Sequence, residues 1–507
     1  MRAPCRFRSD PGLAAHAVAR RALVVGAGLA CLHGLTRANA NVRPSATPFA
    51  LPQPVQALLA SSGLPRTSFG LQVQPIDRPT RPLVSLNADQ SFQTASTTKV
   101  VTTLAALDIL GPDYRWRTRA YLDGMLRGGR LLGDLIIAGG GDVSLSSDAL
   151  RAWFAELRQR GLHEVWGDVV LDRFAFDLTE DDHANTPPPS QNHPGYARPD
   201  ALMLDEGVLR VALHAAPKRP TQVRLMPEQA DLAVVNRLTA GGGCHATAQL
   251  EEVKLSPRLV VRGAWNARCG DREIAQLAVA HAELTQGAVA ELWRDAGGGR
   301  IRGRVRSRIG AGPDASVLRA LDGDPLQPWA THDSQPLSSL IREINKSSDN
   351  LGARSVFLSL AREFPQRPAT LPAARERVAA WLRGQGLKDD DIALDNGSGL
   401  SPTEKGTPRA LVRLLLNAWR KPYAQTFVDS LPIAGVDGTL GRRMAAGPAA
   451  GRAFLKTGTT SEARALAGYV KARSGRTHAV AAIVNHPEAA SAIPVLDGVI
   501  EWLVDNG

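Results

Sequence analysis

The chain has 507 residues, of which 44% are apolar and 21% charged, and its formal net charge is +11. This length exceeds one compact core, so two or three domains are expected, and the composition excludes bulk disorder. The charge is weak evidence for a nucleic-acid partner, because six arginines and one aspartate lie in the first 40 residues. The remaining chain carries 54 Lys and Arg against 48 Asp and Glu, which fits an ordinary solvated surface.

The first 40 residues have the pattern of a secretion signal. Arg20-Arg21 closes a basic segment, Ala22 to Leu35 form a short apolar run, and Ala38-Asn39-Ala40 fits a small-x-small cleavage site. The apolar run is too short to span a bilayer, and no later stretch is a good transmembrane segment. The alternative is a buried N-terminal helix. We predict a signal peptide over 1–40 and a secreted, periplasmic protein.

Two cysteines remain after such a cleavage, Cys244 and Cys269. In an oxidising compartment two remaining cysteines most simply form one disulfide. Two free buried thiols or a metal pair are the alternatives, although no partner spacing supports a metal. The prediction is a disulfide between these two residues.

The predicted elements change in character along the chain. Strands are predicted within 68–86, and a helix over 96–110 with its apolar residues at helical spacing. From about 125 to 325 short β-type runs alternate with turns, with one helical pattern near 147–160. Afterwards helices return, and two strands and a helix end the chain; these segments are 337–345, 351–361, 371–385, 408–420, 464–485 and 491–504.

Three short motifs could carry chemistry. The first is Ser96-Thr97-Thr98-Lys99, where the spacing of three puts the serine and the lysine on one face of a helix. A lysine of lowered pKa can act as the base of a neighbouring serine, whereas an arginine cannot. Of the nine lysines only Lys99 has a serine three residues before it. The alternative is a helix-capping serine with a surface lysine.

The second motif is Ser348-Asp349-Asn350, in a polar turn between two apolar helices. Ser348 could relay a proton toward a leaving amine, and Asn350 could hold the lysine or a substrate amide. Helix capping by Ser and Asp is the alternative. The third is Lys456-Thr457-Gly458-Thr459, whose lysine and hydroxyls beside a strand edge could bind a carboxylate. An ordinary strand with an exposed lysine is its alternative.

Each motif is weak alone, but the ordered set S-x-x-K, S-D-N, K-T-G is strong. With the segments around 332–350, 396–401 and 431–440 it resembles the class C low-molecular-mass penicillin-binding proteins, the D-Ala-D-Ala carboxypeptidase/endopeptidase family. The 252 residues between Ser96 and Ser348 match a family with a large insertion. Pro402 and Arg354 depart from the family pattern, at positions where relatives tend to have an arginine and an acid.

The resemblance implies an α/β (α+β) transpeptidase/β-lactamase-like domain, built from 41–125 and 325–507 and interrupted by two β-rich domains within 126–324. It implies that Ser96 is the nucleophile, Lys99 its base, and Ser348, Asn350 and Lys456 further catalytic residues. Substrate would be bound by residues of the third motif and of the insertion, namely Thr457, Gly458, Thr459, Asp172 and Phe176. For Asp172 and Phe176 an ordinary strand end is an equal alternative.

The backbone N–H groups of Ser96 and Thr459 would form the oxyanion hole. Peptidoglycan stem peptides are the implied substrates and β-lactams the implied covalent inhibitors, with no metal or cofactor. A serine β-lactamase is the nearest rival, but no convincing Glu-x-x-Leu-Asn segment lies between Ser348 and Lys456. A non-catalytic wall-binding scaffold is less favoured because the motifs are intact, and a nucleic-acid binder is disfavoured by the predicted signal peptide.

Overall fold

The computed structural model describes residues 51–190, 193, 196–230, 232–253, 256–308, 327–361 and 367–507. Residues 48–507 form one compact unit. The signal peptide predicted over 1–40 lies outside the described residues. In the described part of the chain, no helix combines the length and apolar character needed to cross a bilayer.

The described residues form ten α-helices, most of them with one apolar face toward a core. They are α1 (Gln53–Ser61), α2 (Thr98–Ile109), α3 (Ser147–Gln159), α4 (His281–Asp295), α5 (Leu337–Ser347), α6 (Asn350–Ser359), α7 (Leu371–Gly384), α8 (Pro408–Ala418), α9 (Ala424–Ser430) and α10 (Ile493–Asn506).

The strands of the described residues build five sheets. They are β1 (Phe69–Pro75), β2 (Val84–Leu86), β3 (Phe92–Gln93), β4 (Arg117–Arg127), β5 (Arg130–Ala138), β6 (Glu164–Val165), β7 (Val169–Asp172), β8 (Val208–His214), β9 (Gln222–Met226), β10 (Ala233–Thr239), β11 (His245–Val253), β12 (Ser256–Ala264), β13 (Arg272–Ala278), β14 (Val305–Arg308), β15 (Ala330–Asp333), β16 (Ile392–Ala393), β17 (Lys405–Gly406), β18 (Ala453–Thr459), β19 (Ala463–Lys471) and β20 (Thr477–Asn485).

An antiparallel five-stranded sheet joins the two ends of the chain, in the order β18-β19-β20-β1-β2. Side chains that alternate along its strands pack into two hydrophobic cores on opposite faces of the sheet. One core also contains residues of α1 and α10, and the other contains residues of α2 and α8. The sheet is therefore covered by helices on both faces. Strand β18, which carries the third motif, is its edge strand. Residues 432–434 pair with the first half of β18 on its other side, so the second half, beside the third motif, remains available for pairing.

A six-stranded sheet occupies the middle of the chain, with the order β14-β7-β5-β4-β15 and β6 paired to β5. One face packs on α3 and α4 through a core that includes Leu135, Leu150 and Val289. Strand β4 crosses the boundary predicted at residue 125, and β15 pairs with β4 although it lies beyond residue 324. The division of the insertion into two domains stays a prediction.

Two three-stranded sheets, β10-β12-β11 and β13-β8-β9, share a further core built around Val211, Leu259 and Trp265. A disulfide joins Cys244, just before β11, to Cys269, just before β13. It is the pair that the sequence analysis singled out. A small sheet, β16-β17-β3, pairs two strands from the second half of the chain with β3, which ends three positions before Ser96.

The predicted helices and the two terminal strands are confirmed, each within a few residues of its expected ends. Helix α4 was not predicted, because the sequence analysis identified one helical pattern in this region and the structure describes two helices there. Its buried residues Leu284, Ala288 and Leu292 recur every four positions, which is a helical signal, but strand-like runs on both sides obscured it. Helices α1 and α9 were also missed because they are short.

Candidate active site

Ser96 lies in a single tight turn that leads directly into α2, and Lys99 follows one turn later. The Lys99 side chain is fully buried, and its Nζ lies 3.1 Å from Ser96 Oγ. Ala95 before the serine has a positive φ of 45°, which costs a non-glycine residue energy and is typical of sites where backbone position matters. The first motif therefore places a serine and a lysine in contact, as predicted.

The second motif forms the turn between α5 and α6. Ser348 ends α5 in the left-handed conformation, with φ 63° and ψ 37°. Asp349 caps α6, since its carboxylate accepts hydrogen bonds from the N–H groups of Leu351 (2.9 Å) and Gly352 (2.8 Å). This geometry aims the next side chain at the first motif: Asn350 Oδ1 accepts a hydrogen bond from Lys99 Nζ at 2.7 Å. Helix capping and contact with the lysine thus occur in the same turn.

The third motif lies on the edge strand β18. Lys456 is fully buried, and its Nζ donates to Ser348 Oγ at 2.9 Å and to the Thr457 carbonyl at 3.0 Å. The hydroxyl of Thr457 lies 2.8 Å from that of Thr439, and Thr459 is exposed. A Cβ at Gly458 would lie 2.8 Å from the Thr94 carbonyl oxygen, so glycine lets the strand pass close to the nucleophile segment.

The structure therefore brings together the five residues predicted to be catalytic: Ser96, Lys99, Ser348, Asn350 and Lys456. They form two hydrogen-bonded groups, one around each lysine. The contacts span up to 251 positions of sequence, so they depend on the packing of α2, α6 and β18. Lys346 fixes the neighbouring loop through Asp437, with 2.7 Å between Nζ and Oδ1.

A loop that the sequence analysis quoted without assigning a role completes the surroundings of Lys99. The Ser398 carbonyl accepts a hydrogen bond from Lys99 Nζ at 2.5 Å. A Cβ at Gly399, which has a φ of +85°, would lie 2.0 Å from the Ala95 carbonyl oxygen and 2.7 Å from the Ser96 nitrogen. The loop thus rests directly on the backbone of Ser96.

Glu404 holds this loop in place, and sequence reasoning missed it. The side chain is fully buried, and its carboxylate accepts hydrogen bonds from four consecutive or near-consecutive backbone N–H groups. The donors belong to Asp395 (3.2 Å), Asn396 (3.0 Å), Gly397 (2.6 Å) and Gly399 (2.5 Å). A lone glutamate after a Gly-Ser-Gly segment gives no periodic signal, so only the fold shows that it is buried.

The electrostatics favour proton transfer at Lys99. Burial lowers the pKa of Lys99 to about 7, because desolvation disfavours the ammonium form, while Asp349 and Glu404 act in the opposite direction. Burial also lowers the pKa of Lys456 well below its ordinary value, and the charge of Lys99 adds to this shift. Near neutral pH an appreciable fraction of Lys99 is therefore uncharged and able to accept a proton from Ser96.

Arg354, one of the two departures from the family pattern, connects the insertion to α6, the helix that begins at Asn350. It is 3% exposed and lies on α6, where its Nε donates to the Asn350 carbonyl at 3.2 Å and its Nη2 donates to the Ala197 carbonyl at 2.5 Å. Burial lowers the pKa of its guanidinium to about 10. The arginine thus connects the segment before residue 200 to the backbone of the second motif.

Asp172 and Phe176, the two insertion residues implied by the resemblance, are both buried. Asp172 Oδ1 accepts a hydrogen bond from the Phe174 N–H at 2.8 Å, and burial raises the pKa of its carboxyl group. Phe176 packs into the core that also contains α2 and α6. Among the described residues, neither side chain is hydrogen-bonded to the five central residues, so their role in substrate binding stays a prediction.

Among the described residues, no group of three or more His, Cys, Asp or Glu side chains is arranged to hold a metal ion. Chemically, the site offers a serine hydroxyl with a buried lysine beside it, and a second serine hydrogen-bonded to a second buried lysine. Such a set is suited to acyl transfer through a covalent serine intermediate.

Comparisons with known proteins agree with this site. The D-Ala-D-Ala carboxypeptidase 3 (S13) family matches residues 51–503. The chain is 27% identical to the D-alanyl-D-alanine carboxypeptidase DacB of Haemophilus influenzae over 80% of this chain and 82% of that protein. It is 29% identical to the D-alanyl-D-alanine carboxypeptidase of Actinomadura sp. strain R39, over 84% of this chain and 79% of the relative.

The fold is similar to the crystal structure of penicillin binding protein 4 (dacB) from Haemophilus influenzae, with a TM-score of 0.69 and 22% identity. That similarity covers 89% of this chain and 99% of the other, which confirms the predicted fold class. The family match over most of the chain confirms the resemblance to the class C low-molecular-mass penicillin-binding proteins. This chain therefore belongs to the D-Ala-D-Ala carboxypeptidase 3 (S13) family of serine peptidases.

Proposed function

We propose that the protein cleaves peptidoglycan stem peptides at D-Ala-D-Ala ends or at D-alanyl cross-links, through an acyl-enzyme on Ser96. The observation that carries the proposal is the contact between Ser96 Oγ and Lys99 Nζ, 3.1 Å apart, with the lysine fully buried. A base that is neutral near pH 7 and already touches the nucleophile meets the geometric requirement for general-base catalysis. Family membership supports the substrate class.

Acylation would proceed in balanced steps. Neutral Lys99 takes the Ser96 proton as Oγ attacks the carbonyl carbon of the penultimate D-Ala, and the N–H groups of Ser96 and Thr459 stabilise the oxyanion. The tetrahedral intermediate collapses as the C–N bond breaks. Ser348, hydrogen-bonded to Lys456, gives its hydroxyl proton to the departing amine and is reprotonated by the proton that Lys99 took from Ser96, so Lys99 is neutral again. Water then hydrolyses the ester, with Lys99 as the base for its proton.

Substrate binding would use the edge of the five-stranded sheet. An extended peptide can add to β18 by main-chain hydrogen bonds, with Gly458 leaving room for its backbone. The terminal carboxylate would be held by Lys456 and by the hydroxyls of Thr457 and Thr459. Asp172 and Phe176 would contact the far end of the stem peptide, where Asp172 offers a carboxylate for an amino group.

The same proposal places the protein outside the cytoplasm, in the periplasm. Its substrate is a cell-wall polymer, and the disulfide between Cys244 and Cys269 fits an oxidising compartment. β-Lactams would act as covalent inhibitors, because Ser96 can open their ring amide in the way that it attacks the peptide.

The test is labelling of the mature protein with a fluorescent penicillin. We expect stable labelling of the wild type and of Ser61→Ala, an exposed control serine on α1, and no labelling of Ser96→Ala. Labelling of well-folded Ser96→Ala would overturn the assignment of the nucleophile. Absence of labelling in the folded wild type would favour a non-catalytic scaffold, and rapid loss of the label would favour a β-lactamase.

A further inference from the structure

One face of the six-stranded sheet packs on α3 and α4, and the opposite face is here called the outer face. Its edge segment, residues 300–308, has an arginine at every second position. Ile301 and Val305 pack into the core, so the alternating arginines belong to the outer face. Four of them are exposed and are here called the arginine row: Arg300, Arg302, Arg304 and Arg306.

Strand register places apolar side chains beside the arginine row. Met125 and Leu132 are cross-strand partners on β4 and β5, 64% and 46% exposed. Val165 on β6 lies between Leu131 on β5 and Ile301 of the edge segment, and all three run parallel. One position later, the same register places Trp166 between Leu132 and Arg302. The guanidinium carbon of Arg302 lies 3.9 Å from the Trp166 ring centroid. An apolar line therefore crosses the outer face and ends at the arginine row.

Carboxylates on the outer face neutralise only part of this charge. Arg306 pairs with Asp168 at 2.6 Å and with Asp134 at 3.3 Å, and Arg130 lies 3.6 Å from Glu164. Asp123 is a fourth, exposed carboxylate. Within the described residues, four exposed arginines of this face form no salt bridge: Arg127, Arg300, Arg302 and Arg304. The face keeps a positive balance next to exposed apolar groups.

The strand that carries Asp172 runs along the outer face. Asp172 lies six positions after Trp166, about 20 Å along an extended strand. Asp168 and Asp172 lie on β7 and its entry, on the same face as Trp166 by alternation. Between them on this face Ile136 and Val170 are buried, so the exposed part ends before Asp172, and a side branch of a bound polymer would reach the catalytic residues around this covered part.

We propose that the outer face binds the glycan strand of polymeric peptidoglycan, with Trp166, Met125 and Leu132 under the sugar rings and the arginine row on the carboxylates of the attached stem peptides. The assignment rests on the proposed function for the identity of the polymer. Exposed apolar groups flanked by unpaired cations fit an amphipathic, anionic polymer, since such patches mark interaction sites on soluble proteins. The surface would favour polymeric over soluble substrate without touching the reacting bond.

The test is co-sedimentation of the protein with purified insoluble peptidoglycan at low and moderate salt. The pair Arg302→Gln/Arg304→Gln should raise the apparent dissociation constant roughly tenfold, and moderate salt should weaken wild-type binding because the charges are exposed. Arg78→Gln/Arg81→Gln, an exposed pair on the turn after β1, is the charge-matched control and should bind like the wild type.

Penicillin acylation and hydrolysis of a soluble D-Ala-D-Ala peptide should stay unchanged in the Arg302/Arg304 pair, while release of peptide products from the polymer falls in step with binding. Trp166→Leu, which keeps an apolar side chain but removes the ring, should weaken binding with little change in salt dependence. Equal binding by both arginine pairs, or equal losses in both, would refute the proposal. Failure of the wild type to bind penicillin would count against the catalytic function instead.

Discussion

The catalytic region and the six-stranded sheet use charged side chains in opposite ways. Around the five-stranded sheet, Lys99, Lys456 and Glu404 are fully buried, and each has several fixed hydrogen-bond partners. On the outer face of the six-stranded sheet, the arginine row is exposed and partly unpaired. Burying a charged group costs free energy and shifts its pKa, so a buried lysine can exchange a proton near neutral pH. An exposed guanidinium stays charged and can attract an anionic ligand.

The largest effect on the acylation rate is expected for Lys99→Arg, which changes the buried lysine beside Ser96. An arginine cannot deprotonate, so the rate of acylation by penicillin should fall roughly 10²- to 10⁴-fold. Stopped-flow or gel-based labelling gives the rate. Lys388→Arg, an exposed lysine of the same chain, is the control and should acylate normally. A Lys99→Arg variant that kept more than roughly a tenth of the wild-type rate would contradict the assignment of Lys99 as the base.

The pH dependence of acylation tests whether the buried Lys99 changes its protonation state near neutral pH, as an exposed cation would not. The pKa of Lys99 is lowered to about 7, so its neutral, reactive form predominates above that pH and is depleted below it. The acylation rate should therefore rise with pH through about 7, and at pH 5 it should be roughly 100-fold below its plateau. Rates measured between pH 5 and 9 on an enzyme that stays folded test this. A flat profile would show that another group limits the reaction.

The disulfide tests whether the inserted sheets are stabilised independently of the site. The bridge closes a loop with a sequence separation of 25, and its loss should lower the free energy of unfolding by about 3 kcal/mol. Thermal unfolding of Cys244→Ser/Cys269→Ser measures this effect. Penicillin acylation at a temperature where the variant is folded should remain at the wild-type rate. Loss of acylation in the folded variant would mean that the two regions are coupled.

Glu404→Gln is expected to give the smallest of these effects. The substitution replaces one carboxylate oxygen by an amide donor, so one of the four loop N–H groups loses its acceptor and the acylation rate should fall about tenfold. Because Glu404 raises the pKa of Lys99, the rising limb of the pH profile should also move to lower pH. Glu404→Asp, which keeps the charge, should leave the limb in place. A slower variant with an unmoved limb would assign Glu404 a structural role alone.

Local pattern accounted for the parts of the site that lie close together in sequence. The contact of Ser96 with Lys99 follows from helical spacing, and the capping of α6 by Asp349 follows from the residue type. The same local evidence failed at α4, where strand-like neighbours outweighed a four-residue repeat. It also gave no sign of Glu404, because the burial of a single acid depends on distant packing.

The sequence by itself determined the three motifs, most of the helices, the strands near the two ends of the mature chain, and the family, since each depends on residue type and short spacing. Only the tertiary structure decided that Asn350 and Ser398, 251 and 299 positions from Lys99, would meet its ammonium group. It also decided that β1 pairs with β20, and that the arginine row and Trp166 share one face. The reason is physical: hydrogen bonding and burial across such separations arise only when whole elements pack together.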